Sequence, residues 1–153
     1  MNEIVINSSI GKLILEEVNG KLTKCLPTKK KLTKNNTSAI LKEAQIALEK
    51  YFAGDNSSLK KIPIKLNGTD FQNQVWKEIK KIQFSKTKSY SELAKAINKE
   101  KAVRAVGTGC GRNSLLLFIP CHRVLAKNNK LGGFSAGIDK KRFLLEHEKA
   151  TLS

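Results

Sequence analysis

The sequence predicts an α+β protein in which a small antiparallel sheet with one helix, residues 1–67, precedes a mostly helical domain, residues 68–153. Three observations predict it: short apolar runs between glycine turns at the start, apolar residues at helical spacing after residue 69, and an Asn-Gly-Thr linker at 67–69. With 40% hydrophobic residues, a chain of 153 residues can bury a core in each domain.

The amino-terminal sheet is predicted from residues 4–24, where turns at Gly11 and Gly20 separate apolar pieces into two or three strands. A helix capped by Ser38 follows this region. Residues 61–66 indicate one further strand, and its proline, which lacks an amide hydrogen, places that strand at a sheet edge.

The helical domain is predicted to begin with a helix that is capped by Asp70 and carries its apolar residues on one face. Two short helices follow, one from residue 89 and one over 102–107. Together they outline a helix-turn-helix, although many small helical proteins share that outline. Residues 123–134 indicate a small hairpin or wing, and Asp139 is predicted to cap the last helix.

The net charge of the chain is +16, from 29 basic and 13 acidic residues. Such an excess attracts polyanions, so nucleic acid is the first partner to test, although a lysine-rich solvated surface explains the same charge. No apolar run is long enough to span a bilayer, and the first residues do not resemble a signal peptide. We therefore expect no membrane association and a cytoplasmic location.

Three cysteines, Cys25, Cys110 and Cys121, are widely separated along the chain. Their odd number and the lack of C-x-x-C spacing argue against a disulfide framework and a zinc site, and favour a reducing compartment. A metal site made of Cys110, Cys121 and His122 is the weaker alternative. We therefore expect neither a metal nor an organic cofactor.

The strongest candidate site is the run Ile-Pro-Cys-His-Arg-Val at 119–124. A cysteine is a nucleophile only as its thiolate, which requires a nearby base or positive charge, and His122 and Arg123 follow Cys121 directly. A glutamate that orients the imidazole would complete a Cys–His–acid relay. Taken alone, however, the run fits a buried and inert cysteine better than a reactive one.

A family resemblance extends over the segment RAVGTGCGRNSLLLFIPCHRVLAKNNKLGGFSAGIDKKRFLLEHE, residues 104–148. It resembles the methylated-DNA–protein-cysteine S-methyltransferases (O6-alkylguanine-DNA alkyltransferases), whose RAVG-x-A-x-G-x-N, I-P-C-H-R-V, L-G-G-Y and K-x-x-L-L-x-x-E elements occur here in order. Two further elements match FQNQVWKEI at 71–79 and SYSELA at 89–94. The resemblance implies a ribonuclease H-like amino-terminal domain and a winged helix-turn-helix domain that carries the active site.

The activity that the resemblance implies is DNA repair by single-turnover transfer of an alkyl group from O6-alkylguanine to Cys121, after base flipping. His122 would act through a water as the base, and Glu148 would orient it. Tyr90 would help guanine to leave, and Asn113 would tie the recognition helix to the active-site turn. Each of these four residues also has a purely structural interpretation.

The DNA contacts that the resemblance implies lie on the third helix and in the loop after the acceptor. Arg104 would enter the base stack from the minor groove and occupy the place of the flipped nucleotide. Further contacts with DNA or substrate would come from Ala102, Ala105, Gly107, Arg123, Val124, Phe134 and Ser135. Helix packing explains the small residues of the third helix equally well. The implied partner is double-stranded DNA containing O6-alkylguanine, bound by a monomer, and assembly of several copies along DNA stays open.

Several positions depart from the family pattern. Phe134 replaces the tyrosine of L-G-G-Y, Ala136 stands where glycine is common, and Ser114 replaces a proline. Gln83 and Ser85 stand where proline and glycine are frequent. These departures put the range of lesions in question, including bulky alkyl groups and O4-alkylthymine, rather than the activity itself.

Two hypotheses from other functional classes stay open. A non-catalytic binder of alkylated DNA, like the alkyltransferase-like proteins, typically has tryptophan at the acceptor position, and Cys121 argues against that class. A helix-turn-helix regulator would need base-reading side chains on the third helix, which is poor in Asn, Gln and Arg.

Overall fold

The computed structural model describes residues 1–36 and 38–152. The chain divides into two compact units, one made of Met1–Lys65 with Ser114–Phe118 and the other of Leu66–Asn113 with the chain from Ile119 onward. Helices and a small antiparallel sheet make up these units, so the predicted α+β class is confirmed.

The first unit contains an antiparallel sheet of three strands, β1 (Asn2–Ile6), β2 (Leu13–Val18) and β3 (Lys21–Pro27), in the order β1-β2-β3. Asn19 and Gly20 join β2 to β3 with positive φ angles of 52° and 79°. An Asn-Gly pair accepts this left-handed conformation readily, which suits it to a tight hairpin. The sequence prediction of two or three strands is confirmed.

One helix, α1 (Ala39–Phe52), packs on this sheet. Its cap is Ser38, as predicted, and the hydroxyl oxygen accepts a hydrogen bond from the backbone N–H of Leu41 at 3.3 Å. The buried face consists of Leu41, Ala44, Ala47, Leu48 and Tyr51. Because these residues recur every three or four positions, they form one stripe against the sheet.

The strand predicted at 61–66 is not formed. A 3-10 turn occupies Leu59–Lys61, and the following segment makes one parallel bridge, between Leu22 and Ile64. Pro63 cannot donate a hydrogen bond, but its carbonyl accepts one from the N–H of Leu22 at 2.9 Å. Pairing therefore stops after one bridge instead of continuing as a ladder.

The described part of the second unit has four α-helices and two short strands. In chain order they are α2 (Asp70–Lys80), β4 (Lys88–Ser89), α3 (Tyr90–Ala96), α4 (Val103–Gly111), β5 (Val124–Leu125) and α5 (Ile138–Leu152). Among these helices, none combines the length and the apolar character that crossing a bilayer requires.

Two predicted helix caps are wrong, because each predicted residue lies inside its helix instead of before it. Thr69, not Asp70, caps α2, where its side chain and that of Gln72 form a reciprocal capping box. Asp139 lies in the first turn of α5, which already begins at Ile138. Both carboxylates still lie at positive ends of helix dipoles, which is why an acidic residue is common there.

The hairpin predicted over 123–134 is also wrong. In the described residues β5 pairs in parallel with β4, and Lys127–Asn129 form a 3-10 turn. Asn128 and Asn129 adopt φ angles of 62° and 59°, which asparagine tolerates better than most residues. The sequence therefore predicted the turn at 127–130 correctly, but it did not predict that β5 pairs with β4.

A hydrogen bond from the indole of Trp76 joins α2 to α4. Its Nε1–H donates to the carbonyl of Gly109 at 2.9 Å. A side chain at Gly68 would not fit, because its Cβ would lie 2.5 Å from the same indole ring. These contacts fix the helix that precedes the candidate site.

Candidate active site

Cys121 begins a 3-10 turn, Cys121–Arg123, directly after Pro120. The residue is only 5% exposed. The side-chain amide of Asn113 donates to the carbonyl of Ile119 at 2.9 Å and to Sγ of Cys121 at 3.1 Å. Asn113 therefore holds the turn and contacts the candidate nucleophile with the same nitrogen.

His122 and Glu148 form a fully buried pair. Nε2 of the imidazole lies 2.5 Å from Oε2 of the carboxylate. An ionised carboxylate only accepts hydrogen bonds, so Nε2 carries the proton and Nδ1 of the neutral ring has a free lone pair. Nδ1 is buried and has no hydrogen-bond partner within the described residues. This nitrogen can take up a proton.

Arg123 does not lie where the sequence analysis placed it. We predicted a DNA contact, but the residue is 6% exposed and its guanidinium points inward. Nε and one terminal nitrogen donate to the two carboxylate oxygens of Glu148 at 2.9 and 3.1 Å, and the other donates to the carbonyl of Ile82 at 2.8 Å. The side chain is occupied by this planar, bidentate ion pair, so the structure gives no support to the predicted contact with DNA or substrate, which stays a prediction.

Glu148 also accepts a hydrogen bond from the backbone N–H of Ser85 at 2.9 Å. Burial opposes ionisation, but the hydrogen bonds and charges of His122 and Arg123 outweigh it and hold the pKa of Glu148 well below its usual value. Ser85 has a φ of 65°, so the glycine frequent in the family at this position has a conformational reason.

The pKa values of Cys121 and His122 are both set mainly by burial. Burial raises the pKa of Cys121 to about 11, against opposing effects of the Asn113 hydrogen bond and the charge of Lys141. Burial also lowers the pKa of His122, although Glu148 acts in the opposite direction. At neutral pH the resting site therefore holds a thiol and a neutral imidazole.

Lys141 is a site residue that the sequence analysis missed. It is fully buried, and Nζ donates to the carbonyl of Val124 at 2.6 Å and to that of Gly133 at 3.2 Å. The sequence spacing could have indicated that Lys141 is buried. It lies three residues before Leu144 and seven before Glu148, which are buried on the same face of the helix. A lysine on the inward face of a helix indicates a paired or functional cation.

A cavity of about 790 Å³ opens beside this network. Its walls include five residues that the sequence predicted as site residues, namely Tyr90, Arg104, Gly107, Phe134 and Ser135. A Cβ on Gly107 would lie 3.8 Å from the Tyr90 ring. Ala102 and Ala105 line a neighbouring groove of about 580 Å³ that also contacts Arg104.

The backbone N–H of Gly133 acts to lower the pKa of Tyr90, but this effect is the smallest of those that act on it. Burial and the charges of Cys110 and Cys121 raise the pKa of Tyr90, so the phenol stays protonated at neutral pH. Val124, another predicted contact, is buried, and its carbonyl already accepts from Lys141. Across residues 1–36 and 38–152, no three His, Cys, Asp or Glu side chains are grouped so that they could hold a metal ion.

Comparisons with known proteins show the family to which the chain is related. The family model for the DNA-binding domain of 6-O-methylguanine DNA methyltransferase matches residues 70–150. A probable methylated-DNA–protein-cysteine methyltransferase from Acanthamoeba polyphaga mimivirus is 40% identical over 150 residues, which cover 95% of each chain. A methylated-DNA–protein-cysteine methyltransferase from Methanosarcina acetivorans is 39% identical over 152 residues, which cover 94% of this chain and 96% of that relative.

Solved structures give the same result. The crystal structure of Mycobacterium tuberculosis OGT in complex with DNA has a TM-score of 0.86 and 35% identity, and the match covers 99% of this chain and 94% of that one. An O6-methylguanine DNA methyltransferase from Methanococcus jannaschii has a TM-score of 0.71 and 35% identity, with 95% and 93% covered. The chain therefore belongs to the methylated-DNA–protein-cysteine methyltransferase family.

Proposed function

We propose that this protein repairs double-stranded DNA by moving the alkyl group of an O6-alkylguanine onto Sγ of Cys121. The observation that carries the proposal is the buried network in which Asn113 contacts Cys121 while Glu148 orients His122. A buried histidine with a free Nδ1, directly after a buried cysteine, is an arrangement suited to removing the thiol proton.

Activation of Cys121 is the first step. The Cys121 thiol gives its proton, through one bridging water, to Nδ1 of His122, and Glu148 stabilises the imidazolium that results. Arg123 keeps Glu148 ionised, so the carboxylate acts as an acceptor throughout. The thiolate is then stabilised by the Asn113 amide and by the positive charge of Lys141, both of which lower the pKa of Cys121.

Alkyl transfer is an in-line displacement at the alkyl carbon. The new bond joins that carbon to Sγ as its bond to guanine O6 breaks, and the electron pair of that bond goes to the purine. Tyr90 donates its hydroxyl proton toward the purine ring, which neutralises the leaving guanine. Because the resulting thioether is not hydrolysed by ordinary means, each molecule reacts once.

Access to the thiol requires that the damaged base leave the stack. The cavity beside Tyr90 supports a flipped purine, with Phe134 as an aromatic wall and Ser135 at its edge. Arg104 lies on the cavity rim, from where it fills the gap in the duplex. The consecutive helices α3 and α4 then act as a helix-turn-helix, and the first unit is of the ribonuclease H-like kind. The net charge of +16 favours binding to phosphates.

Peptide mass spectrometry tests this function directly. After incubation with duplex DNA containing O6-methylguanine, we expect the tryptic peptide 113–123, which carries Cys121, to gain the mass of one CH₂ group. The amount of modified peptide should stop at one equivalent per protein molecule. Matched controls are Cys121→Ser, which should gain nothing, and undamaged DNA of the same sequence. An unmodified Cys121 in the presence of excess lesion would leave a non-catalytic binder of alkylated DNA as the better interpretation.

A further inference from the structure

The first unit carries a dense run of positive charge just after β3. From Val18 to Lys42 the chain has seven lysines and no acidic residue. Residues 29–34, the basic segment, contribute four of these lysines, and all four are exposed. The family model for the DNA-binding domain matches residues 70–150, so the basic segment lies outside it. The function proposed above gives these lysines no contact of their own.

Hydrogen bonds hold the basic segment beside the sheet. The ammonium group of Lys12 donates to the carbonyls of Lys29 and Lys30 at 3.2 and 2.7 Å. Farther along, the N–H of Thr33 donates to the carbonyl of Val5 in β1 at 3.0 Å. The hydroxyl oxygen of Thr33 accepts from the N–H of Val5 at 2.8 Å. These contacts order the backbone of the segment near both of its ends and bring a further lysine to it.

Little negative charge offsets the lysines of the basic segment. Lys30 forms an ion pair with Glu3 at 3.4 Å, although its side chain is 63% exposed. Within the described residues, Lys29, Lys31 and Lys34 take part in no ion pair. Like charges that the fold holds together repel one another, which costs the folded state some stability. A bound polyanion would relieve this repulsion.

Its ordered backbone distinguishes the basic segment from a lysine-rich surface that is only solvated. A flexible run of lysines loses conformational entropy on binding, whereas here the backbone is ordered before a partner arrives. Lysine binds phosphate as a point charge, and phosphate contacts carry no sequence information. Duplex DNA has one negative charge per roughly 1.7 Å of helix axis, so neighbouring ammonium groups can each meet a phosphate. The partner that fits is a phosphate backbone.

We propose that the basic segment of the first unit binds the phosphate backbone of double-stranded DNA, independently of base sequence and of damage. The choice of DNA as the polyanion rests on the proposed function, whereas the charge and the order of the segment do not. Contacts of this kind release counterions from DNA, so they appear in the salt dependence of binding. They add affinity and take no part in alkyl transfer.

A salt titration of DNA binding tests the proposal. With a short undamaged duplex and fluorescence anisotropy, we expect the triple variant Lys29→Gln, Lys30→Gln and Lys31→Gln to bind more weakly than wild type. The slope of log K against log salt concentration should be smaller in magnitude by about 2–3, since each lost phosphate contact removes about 0.9. The triple variant Lys29→Arg, Lys30→Arg and Lys31→Arg keeps the charge and should keep the slope.

A matched control removes the same charge elsewhere in the first unit. The triple variant Lys21→Gln, Lys42→Gln and Lys60→Gln changes exposed lysines in β3, α1 and the 3-10 turn, and it should keep a slope near that of wild type. Equal reductions in the two glutamine variants would overturn the proposal, because net charge alone would then explain them. Loss of binding to vesicles containing phosphatidylserine, with DNA binding unchanged, would also overturn it and assign the segment to a membrane surface.

Lysine acetylation followed by mass spectrometry gives a second and independent readout. With saturating undamaged duplex, Lys29, Lys30 and Lys31 should react several-fold more slowly than without DNA, whereas Lys42 and Lys60 should keep their rates. Equal rates in the basic segment with and without DNA would contradict the proposal. Neither measurement involves a lesion, so a failure of alkyl transfer and a failure of this contact are distinguishable.

Discussion

The two units differ in the kinds of side chain that they bury. In the first unit the largest fully buried side chains are aliphatic, with one tyrosine: Leu13, Leu15, Leu22, Leu41, Leu48, Leu115, Leu116 and Tyr51. The second unit also has an aliphatic core, but among its described residues it buries Asn113, His122, Arg123, Lys141 and Glu148, whereas the first unit buries Glu17 and Thr23. Hydrogen bonds join His122, Arg123 and Glu148 into one cluster. A unit that buries charge gives up stability that an apolar interior of the same volume would provide.

This difference indicates what each unit is adapted to do. An apolar core tolerates exchange of its residues if total volume is kept, because its contacts are not directional. Removing one member of a buried polar network lowers stability strongly, because its former partner is left unpaired in a medium of low polarity. The first unit should therefore respond to lost volume, and the second to lost charge.

The largest effect should follow from Glu148→Gln, which keeps the volume and removes the charge. Arg123 would remain buried without a counter-ion, so we expect the free energy of unfolding to fall by about 3–5 kcal/mol. Urea unfolding measures this loss. Glu146→Gln, an exposed change on the same helix, should cost less than about 0.5 kcal/mol. A stable Glu148→Gln variant would contradict the view that the second unit depends on charge pairing.

The first unit should show the opposite sensitivity. Leu15 is fully buried in β2, so Leu15→Ala should cost roughly 3 kcal/mol through lost burial and the cavity that remains. Leu15→Met, which keeps most of the volume, should cost less than about 1.5 kcal/mol. The same unfolding measurement applies. Equal costs for the two substitutions would contradict a core governed by volume.

Lys141→Met tests a single cation of the network. The carbonyls of Val124 and Gly133 would lose their donor, and we expect a loss of about 1–3 kcal/mol of stability. Lys140→Met, at the partly exposed neighbouring position, should change stability by less than about 0.5 kcal/mol. If the two variants are equally stable, Lys141 does not contribute through its hydrogen bonds.

Acid should destabilise the protein in two stages. The pKa of His122 lies below its usual 6.5 in the folded state, so below pH 6.5 the unfolded chain takes up a proton that the folded chain resists. Stability should then fall by up to about 1.4 kcal/mol per pH unit. Glu148, with its pKa lowered from 4.5, contributes stability that is present above that pH and is lost as the pH falls further.

Urea unfolding across this pH range checks the two stages. In His122→Gln, whose amide can still donate to Glu148, the loss between pH 6.5 and 4.5 should be smaller than in wild type. An unchanged pH dependence in this variant would show that other groups cause the first stage.

The smallest expected effect is a gain. Ser85→Gly relieves a φ of 65° but also makes the unfolded chain more flexible, so we expect a stabilisation of less than about 1 kcal/mol. Ser91→Gly, a matched change inside α3, should instead cost roughly 0.5 kcal/mol. Differential scanning calorimetry of both variants shows whether the two shifts have opposite signs.

Much of this fold follows from local patterns in the sequence. Helical spacing indicated α1 and α2, Ser38 indicated where α1 begins, and glycine turns indicated two or three strands in the first unit. Pairing between distant segments could not be inferred in the same way. The bridge of Leu115 to Cys25 and the parallel pairing of β4 with β5 join residues far apart in sequence, and no local pattern encodes such a choice of partner.

The candidate site shows the same limit. The motif around Cys121 pointed to His122 and the family resemblance pointed to Glu148, but neither showed that Arg123 turns inward. A charged residue usually lies at the surface. Arg123 can be buried because Glu148, on the distant helix α5, forms an ion pair with it. Ser85 is a further case, because its contact with Glu148 is made by the backbone and leaves no signature in residue type.

The indole of Trp76 gives the protein its own optical reporter. Trp76 is the sole tryptophan of the chain, and it is buried with its N–H bonded to the Gly109 carbonyl of α4. Its fluorescence therefore arises from one known environment. That environment changes when α4 moves or when the electric field at the indole changes. The proposed docking of DNA on that helix, and the unfolding of the second unit, can each be followed by emission without an attached dye.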